Sequence, residues 1–187
     1  MELIYPCAAN IPRLKEDKGG GEMFPVIETN GTVVAMASRS FCHGGAKPLH
    51  PAIHLHLINR NGEIYLQRRG AEKDLCPLMW DTAVGGHIAF GEYIHEALYR
   101  EAGEEIALVN FHPVPLLDYL FESERERELV NVFGTVGQFQ PKPDGKEVAE
   151  GRFWSCQEIE TAIGKGVLTP NFEQEYPRIR EKLLALL

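Results

Sequence analysis

Residues Gly85–Leu108 read GGHIAFGEYIHEALYREAGEEIAL, a glycine pair leading into an amphipathic helix whose last two turns carry Glu101, Glu104 and Glu105. At about 100° per residue, Ile94, Ala97, Leu98 and Leu108 fall within one narrow arc, the stripe that packs on a core. Glu101, Glu104 and Glu105 fall in that same arc, whereas a solvated face would centre on Glu96 and Arg100. Three carboxylates at i, i+3 and i+4 on an inward face repel one another and lose hydration, so they stay ionised only with cations among them. A hard divalent cation meets that need, because Mg²⁺ is commonly held by one or two carboxylates, water and substrate phosphate oxygens.

Outward from this helix the chain is rich in strands. FPVIETNGTVVAMAS places the turn pair Asn30-Gly31 between two β-prone runs. HLHLINRNGEIYLQRR does the same around Asn61-Gly62, with Ile53, Leu55 and Leu57 on one face and His54, His56 and Ile58 on the other. His54 and His56 either line a substrate cleft or are half-buried sheet positions. The pattern predicts a short β run over Trp80–Ile88, a helix over Glu92–Leu108, and strands over Val114–Phe121 and Leu129–Gly137, the last closed by the turn Pro141–Gly145. A strand at GRFWSC, a short helix over Gln157–Ile163 and a C-terminal helix over Glu173–Leu187, apolar at Ile179, Leu183 and Leu184, complete the order. Such an order predicts an α/β fold, a mixed sheet with helices on both faces.

With 187 residues, 44% hydrophobic and 25% charged, the chain has enough apolar material for one sizeable core. Residues 1–22, including LKEDKGGG (Leu14–Gly21), read as a flexible tail, and 23–187 as a single domain. A net charge of −8 argues against a nucleic-acid partner. MELIYPCAANIP lacks a basic start and carries Pro6 and Pro12, so it predicts neither signal peptide nor membrane span, which implies a cytoplasmic protein. Cys7, Cys42, Cys76 and Cys156 are widely spaced and read as reduced thiols.

Gly86, Glu92, Arg100-Glu101, Ala102, Glu104-Glu105 and Leu108 together resemble the Nudix box, G-x5-E-x7-R-E-U-x-E-E-x-G-U, where U is a bulky aliphatic. Departures are the small Ala102 and Ala107, where the box has glycine. The second departure sits near the helix end, where a left-handed residue is often wanted and alanine costs about 1 kcal/mol. The resemblance implies a Nudix α/β/α sandwich and metal-dependent hydrolysis of a diphosphate linkage in a nucleoside diphosphate derivative or related organic diphosphate. It implies Mg²⁺ or Mn²⁺ ligands at Glu101, Glu104 and Glu105, a backbone-carbonyl ligand at Gly86, and Arg100 as a charge that orients the glutamates, with Glu92 its partner. A spare carboxylate accepts the proton of the attacking water.

A narrower resemblance covers CHGGAKPLHPAIHLHLINRNGEIYLQRRGAEKDLCPLMWDTAVGGH, which is similar to the Nudix-fold isopentenyl diphosphate isomerases, including Arg69, Lys73, Pro77 and Trp80. It implies a second divalent ion held by His43, His50, His87, Glu126 and Glu128, and a diphosphate held by Arg69 and Lys73. That donor mixture suits six-coordinate Mn²⁺ or Mg²⁺ and also admits Zn²⁺ or Fe²⁺. Taken alone, the alternating charges of ESERERE, Glu122–Glu128, read as a solvated hairpin end. The isomerases carry a cysteine before the G-H pair, where this chain has Gly85, and place a basic residue where Glu101 stands; both departures favour hydrolysis. Cys76 is the nearest cysteine but stands where the isomerases have tryptophan. Isomerase activity and a diphosphate-binding module without turnover are the alternatives. The expected partner is a small-molecule diphosphate, and the expected state a monomer or homodimer.

Overall fold

The computed structural model describes residues 11–14 and 21–187, so most of the expected tail, Cys7 and residues 15–20 of the glycine-rich connector lie outside it. Strands β1 (Met23–Ile27) and β2 (Val33–Ser38) form an antiparallel hairpin and a sheet of their own. Asn30-Gly31 lies in the turn as expected, within a loop closed by Glu28 N–H on the Thr32 carbonyl at 2.9 Å. Phe24, Val26, Ala35 and Ala37 pack with Cys42 into a small buried cluster. Between β2 and the next strand lies a helical segment that the sequence pattern did not reveal. Ser38 caps the turn α1 (Arg39–Phe41), which continues into a wider turn over Cys42–Ala46 containing Gly45 at φ +87°. The glycines of CHGGA erase any helical periodicity there.

The larger sheet has seven strands, with β3 (Leu49–Ile58), β4 (Ile64–Arg69), β5 (Trp80–Asp81), β6 (Val84–His87), β7 (Val114–Glu122), β8 (Arg127–Val136) and β9 (Val148–Trp154). Its order is β5-β4-β3-β8-β7, with β6 also paired to β3 and β9 to β4. The hairpin β3–β4 pairs Leu57 with Tyr65 and Ile58 with Ile64 across the expected Asn61-Gly62 turn. Every residue of β3 is buried, so its alternation does not mark an inner and an outer face. The run expected over Trp80–Ile88 is two short strands. Asp81 breaks it by accepting the Thr82 N–H at 2.8 Å, a local bond that competes with the ladder.

Helix α2 (Ile94–Ile106) is shorter than expected at both ends. It stops at Ala107, which takes the left-handed conformation at φ +54° while its N–H bonds the Gly103 carbonyl at 3.2 Å. This is the geometry that a glycine would adopt without strain. Helix α3 (Cys156–Ala162) begins with a capping box between Ser155 and Glu158. Helix α4 (Pro170–Leu184) begins three residues before the expected start, because Thr169 caps it and Pro170 is well suited to a first-turn position. Its stripe of Phe172, Tyr176, Ile179 and Leu183 is buried.

The described residues gather into two compact units. One contains those up to Ile53 with Gly86–Leu98 and Asp118–Asn131; the other contains His54–Gly85, Tyr99–Leu117 and Val132–Leu187. No helix among the described residues is long and apolar enough to cross a membrane.

Candidate active site

In the first unit, His43 from the turn after α1, His50 from β3, His87 from β6 and Glu128 from β8 bring one donor atom each to within 4.8 Å of one another. His43 Nε2 and His87 Nε2 are 3.2 Å apart, and His87 Nε2 is 3.0 Å from a Glu128 oxygen. His50 Nδ1 donates to the Pro48 carbonyl at 3.0 Å, since a carbonyl only accepts. Its Nε2 therefore presents a lone pair, is buried without a hydrogen-bond partner among the described residues, and lies 3.7 Å from Glu128. Phe24 stacks on His50 and His87 with ring centroids at 5.5 and 4.5 Å, fixing both imidazole planes. Glu126 lies 3.7 Å from His43 Nε2. Both Glu126 and Glu128 are buried, so this end of the Glu122–Glu128 run is not the solvated hairpin tip that its alternating charge suggests.

Burial favours the neutral imidazole at His43 and at His87, beside one ionised carboxylate. Burial, reinforced by His87, Arg39 and His50, pushes His43 down to about 3, with Glu128 opposing. Burial likewise lowers His87 against the hydrogen bond and charge of Glu128. Burial would raise Glu128, yet the hydrogen bond from His87 and the two neighbouring imidazoles hold it well below the usual range. An orphaned buried lone pair among convergent nitrogens and an ionised carboxylate is a donor set that fits a divalent ion. Arg39, whose side chain is 44% exposed, approaches His87 Nδ1 at 3.2 Å. Cys42 is buried beside this group, and burial foremost pushes its thiol up to about 12, which keeps it a packing residue.

In the second unit, α2 presents its glutamates unequally. Glu105 is buried and accepts from Gly85 N–H at 3.2 Å and from Gln67 Nε2 at 3.1 Å. Burial, then the Glu101 charge, pushes it up to about 8, while Lys73 and the Gly85 bond pull it down. Glu101 is mostly covered and Ala102 wholly buried, but the Glu104 side chain is 62% exposed. The expectation that all three glutamates share the inward stripe is therefore corrected: Glu101 and Glu105, one turn apart, face inward, and Glu104 faces solvent. Arg100 binds Glu101 at 2.8 Å and Glu104 at 3.2 Å, a position suited to orienting them. Glu92 precedes the helix and accepts the Ala89 N–H at 2.9 Å; Gly86 sits next to Gly85 in β6.

Both expected diphosphate-binding cations have protein partners. Arg69 donates to the Leu75 carbonyl at 3.1 Å and to Asp81 at 3.3 Å, and Lys73 pairs with Glu147. Their loop is tightly wound, with Cys76 and Leu78 at φ +48° and +62°. Cys42, Cys76 and Cys156 are free thiols.

His54 and His56 are buried members of a group that sequence reading left incomplete. His54 Nδ1 lies 2.8 Å from one oxygen of Glu175, and His56 Nε2 lies 2.5 Å from the other. Burial would raise Glu175, but the His54 charge and hydrogen bonds from both histidines hold it well below the usual range. Its signal in the sequence was a carboxylate inside the apolar stripe of α4, three residues after Phe172 and next to Tyr176.

A family model described as the NUDIX domain matches residues 48–172. The isopentenyl-diphosphate Delta-isomerase of Brevibacterium linens is 27% identical over 177 residues, covering 87% of this chain and 96% of that protein. An uncharacterized Nudix hydrolase of Nostoc is 30% identical over 100 residues, 53% of this chain and 59% of that one. Among solved structures, a Deinococcus radiodurans protein, DR0079, superposes with a TM-score of 0.72 at 18% identity, covering 87% of this chain and 99% of that one. The NUDIX domain of Shewanella oneidensis NrtR, solved with ADP ribose, gives 0.60 at 15% identity, covering 73% and 88%. With the fold, the acidic helix and the matched span in agreement, the chain belongs to the Nudix family.

Proposed function

We propose that the protein, acting through a single Nudix domain over 23–187, is a divalent-metal-dependent hydrolase of a diphosphate linkage in a small molecule. The observation that carries this reading is Glu105, a buried carboxylate held by Gly85 N–H and Gln67 beside Glu101, on the helix bearing the full acidic motif. Glu101, Glu104 and Glu105 would hold one Mg²⁺ or Mn²⁺; His43, His50, His87, Glu126 and Glu128 would hold another. Bound there, the cations neutralise diphosphate charge and acidify water. Arg69 and Lys73 exchange Asp81 and Glu147 for diphosphate oxygens. The Glu104 oxygen that the cation would leave unligated accepts the proton of the attacking water, and Arg100, 3.2 Å away, keeps the carboxylate aimed. Were a cation held through His87 Nε2, the imidazole proton would stand on Nδ1, and the exposed Arg39 side chain would have to turn away.

The test is a screen of nucleoside diphosphates, nucleoside diphosphate sugars and isoprenoid diphosphates with Mg²⁺ and with Mn²⁺, repeated with Glu104→Gln and Glu105→Gln. Metal-dependent phosphate or nucleotide release that both substitutions abolish is expected. Absence of turnover, or rates indifferent to both, overturns the reading. Relatives named as isomerases favour a second reading, isopentenyl diphosphate isomerisation. Gly85 opposes it, having no side chain to exchange a proton. Formation of dimethylallyl diphosphate from isopentenyl diphosphate above a metal-free control would decide for it.

A further inference from the structure

His54 is oriented as a proton-transfer group. Its Nδ1 meets the fully buried Glu175 carboxylate at 2.8 Å, and a carboxylate that only accepts fixes the proton on Nδ1. The ring then turns Nε2 towards Gly85, 3.6 Å from where a β-carbon on that glycine would stand, with Cδ2 at 3.5 Å. The amide of the same glycine is donated to Glu105 at 3.2 Å. One residue of β6 thus has the acidic helix at its backbone and an oriented imidazole at its missing side chain. Nearby stand His56, which takes the second Glu175 oxygen at 2.5 Å, and Thr82, whose methyl lies 3.6 Å from the same Gly85 position. A strut between a strand and a helix needs no ionisable triad, since apolar residues of similar volume are often equally stabilising.

We propose that His54, held by Glu175, donates the proton to the leaving oxygen in the hydrolysis proposed above, on which this inference rests. Water oxygen bonds to phosphorus as the bridging P–O bond breaks, and the bond's electron pair stays on the leaving oxygen. That oxygen takes the Nε2 proton of the His54 imidazolium, the proton of the attacking water passes to Glu104, and exchange with solvent restores both groups. Glu175 stays ionised throughout, stabilising the imidazolium before transfer, the division of labour known for carboxylate–histidine pairs. Glycine at position 85 keeps a β-carbon from standing 3.6 Å from Nε2.

The test compares wild type with His54→Gln on two probes with Mn²⁺: the diphosphate cleaved fastest in the screen, and the p-nitrophenyl ester of thymidine 5′-monophosphate, whose leaving phenolate needs no acid. General-acid catalysis is worth about 10²–10⁴-fold. The expected result is a loss of about a hundredfold on the diphosphate, a change under about threefold on the ester, and disappearance of the high-pH descent in kcat that wild type shows as Nε2 deprotonates. Equal losses on both probes, an unchanged rate, or a retained descent overturns the assignment while leaving the hydrolase reading intact. A wild type inert towards every diphosphate instead defeats the hydrolase reading, and this inference with it. Thermal melting checks folding, and Gly85→Ala gives an independent variant, since its methyl meets the His54 ring at ordinary contact distance. It should slow the diphosphate at least about tenfold and spare the ester; a diphosphate rate equal to wild type counts against the proposal.

Discussion

Two groups of histidines and glutamates are built from the same side chains and behave oppositely. Around Glu175, each imidazole has a carboxylate oxygen of its own, at 2.8 and 2.5 Å, so the protein alone satisfies the group. Around Glu128, three imidazoles converge on one another and on one carboxylate, and His50 Nε2 is left without a hydrogen bond among the described residues. The carboxylate of the first group is paired at both oxygens by the protein, while the second group gathers donors that could hold a metal ion. Buried polar groups in a folded chain are normally satisfied, so the orphaned His50 Nε2 fits a cluster that could hold a metal ion.

The strongest break in that comparison is expected at Glu175. Removing one partner of a buried ion pair strands the other, a loss of about 3–5 kcal/mol. Glu175→Ala should therefore unfold at much lower denaturant with or without metal. A variant as stable as wild type would show that the group contributes nothing to the fold.

The next effect separates the two groups by ligand. Mn²⁺ at about a hundred times its dissociation constant stabilises a protein that binds it only when folded by about 2.7 kcal/mol. His50→Leu should abolish the part of that stabilisation due to the His43–Glu128 cluster, while changing metal-free stability by less than about 1 kcal/mol, because it also removes an unsatisfied nitrogen. Titration calorimetry with Mn²⁺ and melting without it measure both halves. His54→Gln should leave Mn²⁺ binding untouched; a lost site there would merge the two groups into one.

This contrast also marks how far the sequence could be read. The acidic motif of α2 and the two Asn-Gly turns depend on local order along the chain, whereas His43, His50 and His87 were implied as a set only by the resemblance to the isomerases; the strands and helices formed close to where the pattern places them. His54 and His56 stayed ambiguous because their partner, Glu175, lies on the last helix, and no rule of spacing joins a strand to a helix so distant in sequence. The short α1 was missed because it offers a single turn followed by glycines. Glu104 was misplaced because an arc at about 100° per residue gives a direction but not where the covering surface ends.

Acidity should distinguish the groups again in the metal-free protein. His43 has its folded value lowered to about 3 by burial, so between the ordinary 6.5 and that value the unfolded chain binds more protons, and stability falls as pH falls. Glu175 is also depressed, so its contribution is complete above the ordinary 4.5 and is lost only on further acidification. Glu105 runs the other way: burial raises it to about 8, the folded chain holds the extra proton, and stability is lost as pH rises from 4.5 through that value. Denaturant unfolding across this range should show His43→Gln flattening the acid slope and Glu105→Gln flattening the neutral one. A Glu105→Gln variant that keeps the neutral slope would place its origin elsewhere.

The smallest expected effect lies at the end of α2 and serves as a control for the rest. Ala107 holds φ +54° while its N–H closes the helix on Gly103, so the alanine methyl is strained in a conformation that a β-carbon disfavours by about 1–2 kcal/mol. Glycine adopts it freely but gives up more chain entropy on folding, about 0.4–1 kcal/mol. The two terms oppose, and strain is the larger, so Ala107→Gly should stabilise by about 0.5–1 kcal/mol and raise the melting temperature by about 1–4 °C. The gain belongs to the backbone alone, so it should be the same with and without Mn²⁺, and the same above and below the titration of His43. A gain that vanishes on adding Mn²⁺ would mean that closing the helix and placing Glu101, Glu104 and Glu105 for the cation are one event, and that the Ala107 strain is relieved only when those carboxylates are engaged.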